Sequence, residues 1–252
     1  MRSIILSGCN GKMGKVISNS VAERDDCKIV AGIDAMNTAS DTFDVYDSIN
    51  KFSKKADVII DFSHPSSLDS LLKYAVLSKT PLVVATTGLS NEQVNDIHAA
   101  ATQVPIFFSA NMSLGVNLIQ ELAAKAAKVL GTSFDIEIVE AHHNQKIDAP
   151  SGTALMIANA ISKQMATPPT YEFDRHSKRA KREKNEIGIH AVRGGTIVGE
   201  HEVIFAGHDE VIKISHSAMS KEIFATGSIN AALFLCGKPA GLYSMNDLID
   251  AE

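Results

Sequence analysis

Three glycines close to the start constrain this chain more than any other feature. They lie in Gly8-Cys9-Asn10-Gly11-Lys12-Met13-Gly14, after the apolar run Ser3 to Ser7. A segment of helical spacing follows, Lys15 to Glu23, in which Val16, Ile17 and Val21 share a side. A second apolar run, Ile29 to Ile33, ends at Asp34. Strand, glycine turn, helix, strand and terminal acid is the order of a dinucleotide-binding βαβ unit. Gly8 permits the tight turn, Gly11 lets the backbone approach a pyrophosphate, and Gly14 lets the helix lie close to the sheet. The spacing is GxxGxxG rather than the commoner GxGxxG, and glycines alone also make turns that hold no ligand. Asp34, 20 residues after Gly14, is in register to accept hydrogen bonds from an adenosine ribose. It would repel a 2′-phosphate, and Ala35 offers no cation for one, so NADH is favoured over NADPH; Lys12 is a nearby cation that would tolerate the phosphate.

The same alternation continues. Asp57 to Ser63, Pro81 to Ala85 and Val104 to Phe108 read as buried strands. Ser66 to Lys79, with Leu68, Leu71, Leu72 and Ala75 inward, and Asn91 to Ala101 read as the helices between them. Such alternation builds a parallel sheet whose ligands bind outside the carboxyl ends of the strands. Each end carries a small or polar cluster: Asp61-Phe62-Ser63-His64, Ala85-Thr86-Thr87-Gly88 and Ser109-Ala110-Asn111-Met112. One cluster is ordinary turn chemistry. Three in register with the glycine run would line the nicotinamide half of a dinucleotide. His64 by itself reads as a surface or capping histidine.

Beyond residue 112 the pattern changes. Gly115 to Leu130 reads as an apolar helix with Val116, Ile119, Leu122, Ala123 and Ala126 inward. Residues 134–139, 187–193, 197–205 and 211–217 read as strands with one clear helix among them. Thr226 to Leu235 is a further helix, with Ile229, Ala232 and Leu233 inward, and the tail Gly241 to Leu248 returns to the first domain. The fold class is therefore α/β. A Rossmann-type parallel sheet over residues 1–112, completed by 222–252, forms a dinucleotide-binding domain. Residues 113–221 form an α+β domain for substrate and oligomerisation, with a mostly antiparallel open sheet. The open face calls for a homo-oligomer joined through it. Arg175 to Lys184 holds six Lys or Arg and reads as a solvated mobile loop in preference to a flap for an anionic substrate. Arg193, in a turn with Gly194 and Gly195, either aims its fork at a carboxylate or makes a surface ion pair. Glu200-His201 reads as structural or as a subunit contact.

The densest chemistry lies in Glu140-Ala141-His142-His143-Asn144-Gln145-Lys146-Ile147-Asp148-Ala149-Pro150-Ser151-Gly152-Thr153. It follows an alternating strand and precedes a helix, Thr153 to Lys163, with Leu155, Ile157, Ala158 and Ile161 as its buried face. Ser151 is a good N-cap, and the first amides of such a helix, with Lys146 nearby, make a carboxylate or phosphate pocket. His142, whose direction the strand end would fix, is the better proton donor at its edge; His143 can donate a further hydrogen bond. The plainer reading is a polar loop whose histidines cap carbonyls.

Composition excludes other classes. A net charge of -5, 6 % aromatics and no Trp argue against nucleic acid or an acidic membrane as partner. Cys9, Cys27 and Cys236 are at no metal spacing and suit a reducing cytoplasm, so no metal is expected. No apolar run spans a bilayer, and Ile4 to Leu6 runs straight into the glycine motif, unlike a cleaved signal.

Essentially from end to end, the chain resembles the dihydrodipicolinate reductase (4-hydroxy-tetrahydrodipicolinate reductase) family. The most specific match is Glu140 to Ala154. Gly8 to Gly14, Asp61-Phe62-Ser63, Thr86-Thr87-Gly88, Ser109 to Asn117, Arg193-Gly194-Gly195 and Gly199-Glu200-His201 support it. The resemblance implies nicotinamide-dependent reduction of a cyclic unsaturated dicarboxylate to tetrahydrodipicolinate in the lysine and diaminopimelate pathway. It implies His142 as acid–base residue and Lys146 as second proton donor, with His143, Gly152 and Thr153 holding substrate. Gly8, Cys9, Asn10, Gly11, Lys12, Met13, Asp34, Ala85, Thr86, Thr87, Ser109, Ala110, Asn111 and Met112 would hold the cofactor, and the assembly would be a homotetramer. Many members carry Arg where Ala35 stands, which weakens the case for NADPH, and Gly where Ala85 stands, a change expected to be tolerated. A reductase of another carboxylate and a non-catalytic nicotinamide sensor are the other readings. A sensor has no need of His142, His143 and Lys146 beside an anion-ready helix start.

Overall fold

The computed structural model describes residues 1–36 and 38–251. The chain divides into two compact units, Met1–Leu114 with Lys221–Glu252, and Gly115–Ser220.

The first unit is built on a seven-stranded sheet of β1 (Arg2–Ser7), β2 (Cys27–Ile33), β3 (Val45–Tyr46), β4 (Val58–Asp61), β5 (Leu82–Val84), β6 (Pro105–Phe108) and β12 (Gly241–Tyr243). The order is β12-β6-β5-β4-β1-β2-β3 and every pairing is parallel. Both faces are buried, which is why the central strands are continuous apolar runs. Ile4, Leu6, Val58, Ile60 and Val83 face a core filled by α1 (Lys12–Ala22), α6 (Glu222–Leu235) and α7 (Met245–Ile249). Their neighbours Ile5, Ile59, Leu82 and Val84 face the opposite core, filled by α2 (Leu68–Ser78) and α3 (Asn91–Ala101). The strand order reverses beside β1, the place where open parallel sheets bind ligands.

Helix α1 starts at Lys12, earlier than the spacing of its apolar residues predicts, with Gly11 as N-cap. Lys12, Met13 and Gly14 therefore belong to the helix. A Cβ on Gly14 would stand 2.2 Å from the Gly8 carbonyl oxygen, so only glycine lets the helix begin that close. Strands β3 and β12, of two and three residues, are too short for periodicity to reveal.

The second unit carries a five-stranded sheet of β7 (Asp135–His142), β8 (Thr170–Glu172), β9 (Glu186–Arg193), β10 (Gly199–Ala206) and β11 (Val211–Ala218), in the order β11-β10-β7-β9-β8. It is mixed rather than mostly antiparallel: β10 runs antiparallel to β11 and β7, but β7–β9 and β8–β9 are parallel. The chain leaves β7 through α5 (Gly152–Ser162), and a crossover through a helix returns the next strands in the same direction. Ile136, Ile138, Ile187, Ile189, Val203 and Phe205 pack against Ala154, Ile157, Ala158 and Ile161 of α5 and Ile119, Ala123 and Ala127 of α4 (Leu114–Leu130). On α4 the buried stripe falls on Ala127, and Leu122 is exposed. On α5 it includes Ala154, and Leu155 is half-buried.

The basic segment is exposed over most of its length, as its charge suggests, but it is tied down through Arg175, Lys178 and Arg182. Arg175 bonds Glu137 and Glu186, Arg182 bonds Asp135 and Glu137 and the carbonyls of Ile136 and Glu186, and Lys178 pairs with Glu172. The strands supply counter-charges that the segment's own sequence cannot show. Among the described residues no helix is long and apolar enough to cross a membrane, and no group of three or more His, Cys, Asp or Glu could hold a metal ion.

Candidate functional site

Strand β7 alternates inward and outward, and its inward residues are Ile136, Ile138, Glu140 and His142. The last two are polar where packing alone would ask for more apolar side chains. Glu140 has no exposed surface. One carboxylate oxygen accepts from the Ser151 amide at 2.9 Å and Arg193 Nη2 at 2.7 Å. The other accepts from His142 Nδ1 at 2.6 Å and Arg193 Nη1 at 2.8 Å. Burial opposes its ionisation, but the bonds from Arg193, His142 and Ser151 prevail and hold the carboxyl below its ordinary range. Arg193 also bonds the Asp148 carbonyl at 2.7 Å, tying the end of β9 to the loop after β7.

Ser151 caps α5 by accepting from the Ala154 amide at 3.1 Å, and its hydroxyl lies 3.0 Å from His201 Nε2. His201 is buried on β10, and its ring meets His142 edge-on at 5.2 Å. Burial, helped by the charge of His142, pushes His201 down to about 4, so it is neutral at neutral pH. His142 Nε2 has no hydrogen-bond partner among the described residues, and the space beside it is left by Gly199, where a Cβ would stand 3.1 Å away. Lys146 pairs with Asp148 at 2.9 Å, which lowers the Asp148 carboxyl. His143 is half-buried in the same loop, and Gly152 and Thr153 form the first turn of α5, at the positive end of its dipole. His142, His143, Lys146, Gly152 and Thr153 thus share one strand–loop–helix segment. Arg193 belongs with them, its fork closed on a carboxylate as one of its two sequence readings has it, and so do Glu140 and His201, to which the sequence assigns no site role. The available signal was alternation: Glu140 continues the inward series of β7, and His201 that of Val203 and Phe205 on β10.

In the first unit the candidate cofactor residues lie along the carboxyl edge of the parallel sheet. A cavity of about 610 Å³ is lined by Gly8, Gly11, Asp34, Ala35, Phe62 and Ser63 among others. A cavity of about 400 Å³ shares Phe62 and Ser63 and adds Met13, Ala85, Thr86, Thr87, Ala110, Asn111 and Met112. Gly8 has φ +79, and a Cβ there would meet the Phe62 carbonyl oxygen at 2.5 Å. A cradle this close, bordered by an acid and running on into a second cavity, fits a dinucleotide. Asp34 accepts from the Asn10 amide at 3.1 Å and the Met36 amide at 3.0 Å, so it also shapes the glycine turn. Cys9, Asn10, Lys12 and Ser109 line neither cavity. Cys9 is buried, which pushes its thiol up to about 11, and the Ser109 hydroxyl bonds the Asn111 carbonyl at 2.8 Å. Thr86 donates at 2.7 Å to Asp61, a fully buried carboxyl that burial raises. His64 caps the short turn Pro65–Ser67.

The family described as "Dihydrodipicolinate reductase, N-terminus" matches residues 2–112, and "Dihydrodipicolinate reductase, C-terminus" matches residues 115–249. A 4-hydroxy-tetrahydrodipicolinate reductase of Caldanaerobacter subterraneus is 53 % identical over 249 residues, 99 % of this chain and 98 % of that protein. One of Clostridium tetani is 49 % identical over 251 residues, 100 % of this chain and 98 % of the relative. Among solved structures, a dipicolinate-bound dihydrodipicolinate reductase from Paenisporosarcina sp. TG-14 has the same fold, with a TM-score of 0.81 at 23 % identity over 98 % of this chain and 99 % of the other. Matched along nearly its whole length, the chain belongs to the dihydrodipicolinate reductase family, and it is an oxidoreductase with a Rossmann-like parallel sheet.

Proposed function

We propose that this enzyme reduces 4-hydroxy-tetrahydrodipicolinate, by way of dihydrodipicolinate, to tetrahydrodipicolinate in lysine and diaminopimelate biosynthesis. The observation that carries the reading is His142, bound through Nδ1 and open at Nε2, next to Lys146 and the start of α5, in a chain 53 % identical to a reductase of that name. The reaction removes water from the substrate and adds a hydride and a proton. When bound, the reduced nicotinamide supplies the hydride. His142 gives the proton from Nε2. Lys146 is a second donor, and its charge stabilises the negative charge that develops on the ring. His143 and the Gly152 and Thr153 amides bind a substrate carboxylate at the positive end of α5.

The unit Met1–Leu114 with Lys221–Glu252 is assigned the dinucleotide, and Gly115–Ser220 the substrate and the oligomer contacts. Gly8, Cys9, Asn10, Gly11, Lys12 and Met13 would approach the pyrophosphate, and Asp34 would accept the ribose hydroxyls. Ala85, Thr86, Thr87, Ser109, Ala110, Asn111 and Met112 would form the nicotinamide side. NADH is the preferred donor, because Asp34 lines the adenosine cavity and no Lys or Arg does among the described residues. The reading extends to a homotetramer and to a cytoplasmic setting; the free thiols Cys9, Cys27 and Cys236 suit the latter.

The test follows absorbance of the reduced nicotinamide with purified protein, freshly generated 4-hydroxy-tetrahydrodipicolinate, and NADH or NADPH in parallel. Rapid loss is expected, faster with NADH. His142→Ala and Lys146→Ala should each lower kcat by ~10²-fold or more while NADH binding persists. No loss with either cofactor, from protein that binds NADH, would remove the assignment.

A further inference from the structure

We propose that Glu140 and Arg193 are paired positioning residues: Glu140 holds His142 in one tautomer, and Arg193 cancels the carboxylate's charge at the ring, so that Nε2 is the atom that carries the exchangeable proton. This rests on the reading of His142 as proton donor.

Glu140, when ionised, accepts hydrogen bonds and donates none. Its carboxylate has no exposed surface, and its other partners, the guanidinium fork and the Ser151 amide, can only donate. An ionised carboxylate so placed needs a donor from the ring as well, so His142 Nδ1 carries hydrogen. The neutral ring then has its lone pair on Nε2, and the protonated ring has its transferable proton there. Nothing in packing asks for an acid at this point, since Ile136 and Ile138 fill the preceding inward positions of the strand. A buried ion pair adds little net stability over apolar packing, which leaves direction as its contribution.

The pair's two charges act on His142 with opposite sign. Glu140 alone favours the protonated ring, and Arg193 alone disfavours it. The two oppose at hydrogen-bonding distance, 2.7 and 2.8 Å. The other groups around the ring supply no compensating ion. His201 on β10 is neutral, His216 opposite it on β11 is likewise lowered by burial, Ser151 on α5 is uncharged, and Lys146 is paired with Asp148. His143 follows in the chain.

The test compares Glu140→Gln, Arg193→Met and the double variant, with NADH and freshly generated 4-hydroxy-tetrahydrodipicolinate across pH. Expected for Glu140→Gln is a kcat at least ~10²-fold lower, a KM within about threefold, and an alkaline limb moved down by ~1 pH unit. In Arg193→Met that limb moves up by a similar amount, and in the double variant it returns toward wild type while kcat stays low. Shifts of the same sign, or lower kcat with no shift, would mean that the pair only supports the fold, and the proposal would fall. A second readout needs no substrate and no change to Glu140 or Arg193. In wild-type protein with ¹⁵N-labelled histidine, at a pH where the rings are neutral, the His142 signal, assigned by its loss in His142→Asn, should be that of the Nδ1–H tautomer. An Nε2–H tautomer overturns the proposal even if turnover is normal. An Nδ1–H tautomer in a protein without turnover would instead remove the reductase reading and leave the positioning intact.

Discussion

Gly199 shows how much a missing side chain can matter at one residue. It opens β10 beside His142, and a Cβ there would stand 3.1 Å from Nε2 and 3.4 Å from Cδ2. Its φ is not in the left-handed region, so alanine is acceptable to the backbone and the cost falls on the ring. Glu140 resists any move of that ring through the 2.6 Å bond to Nδ1. Gly199→Ala should therefore leave the melting temperature nearly unchanged and lower kcat by ~10-fold, because a displacement of a few tenths of an ångström misplaces the donor. Unchanged turnover in the folded variant would show that Nε2 is not the working atom.

At the scale of elements, helices and strands are held to one another by close approaches that propensity does not foresee. Helix α6 contains Gly227, where alanine would normally gain about 1 kcal/mol. Here an added Cβ would lie 1.7 Å from the Met112 carbonyl oxygen, a backbone atom. Gly227→Ala is expected to reverse the usual sign, lowering the melting temperature by several degrees. It should also weaken NADH binding, since Asn111 and Met112 line the smaller cavity. Thermal melts and a fluorescence titration with NADH check both; a stabilised variant with wild-type affinity would contradict the account. Helix α5 has a comparable dependence: Ser151 caps it, bonds Glu140 through its amide and sits against His201 through its hydroxyl, so one serine joins three elements.

Over the whole molecule, the segment from Lys221 onward supplies Ala225, Ile229, Ala232, Leu235, Met245 and Leu248 to the core under β1 and β4, so the first unit is completed by residues far from it in sequence. Stability should respond to acid through the second unit. His201 is held at about 4 against an ordinary 6.5, so between those values the unfolded chain binds a proton that the native chain does not. Stability is then full above about pH 6.5 and falls as pH drops toward 4, by roughly 3 kcal/mol. Melting temperatures from pH 7.5 to 4 should show this decline, and His201→Gln should flatten it; a flat wild-type profile would mean His201 is not buried neutral. Sequence by itself determined the alternating strands and helices of the first unit, because strands buried on both faces are continuous apolar runs and glycines mark where the backbone must come close. It also determined the polar segment from Glu140 to Thr153, where local chemistry is concentrated. Only tertiary structure decided that β7 and β9 run parallel, that Arg175 and Arg182 are spent on Asp135, Glu137 and Glu186, and that Arg193, 53 residues from Glu140, closes its fork on it. The same holds for His201, which faces Glu140 across the β7–β10 ladder. Strand register and burial are set by the summed packing of distant segments, and no local pattern of residues carries that sum.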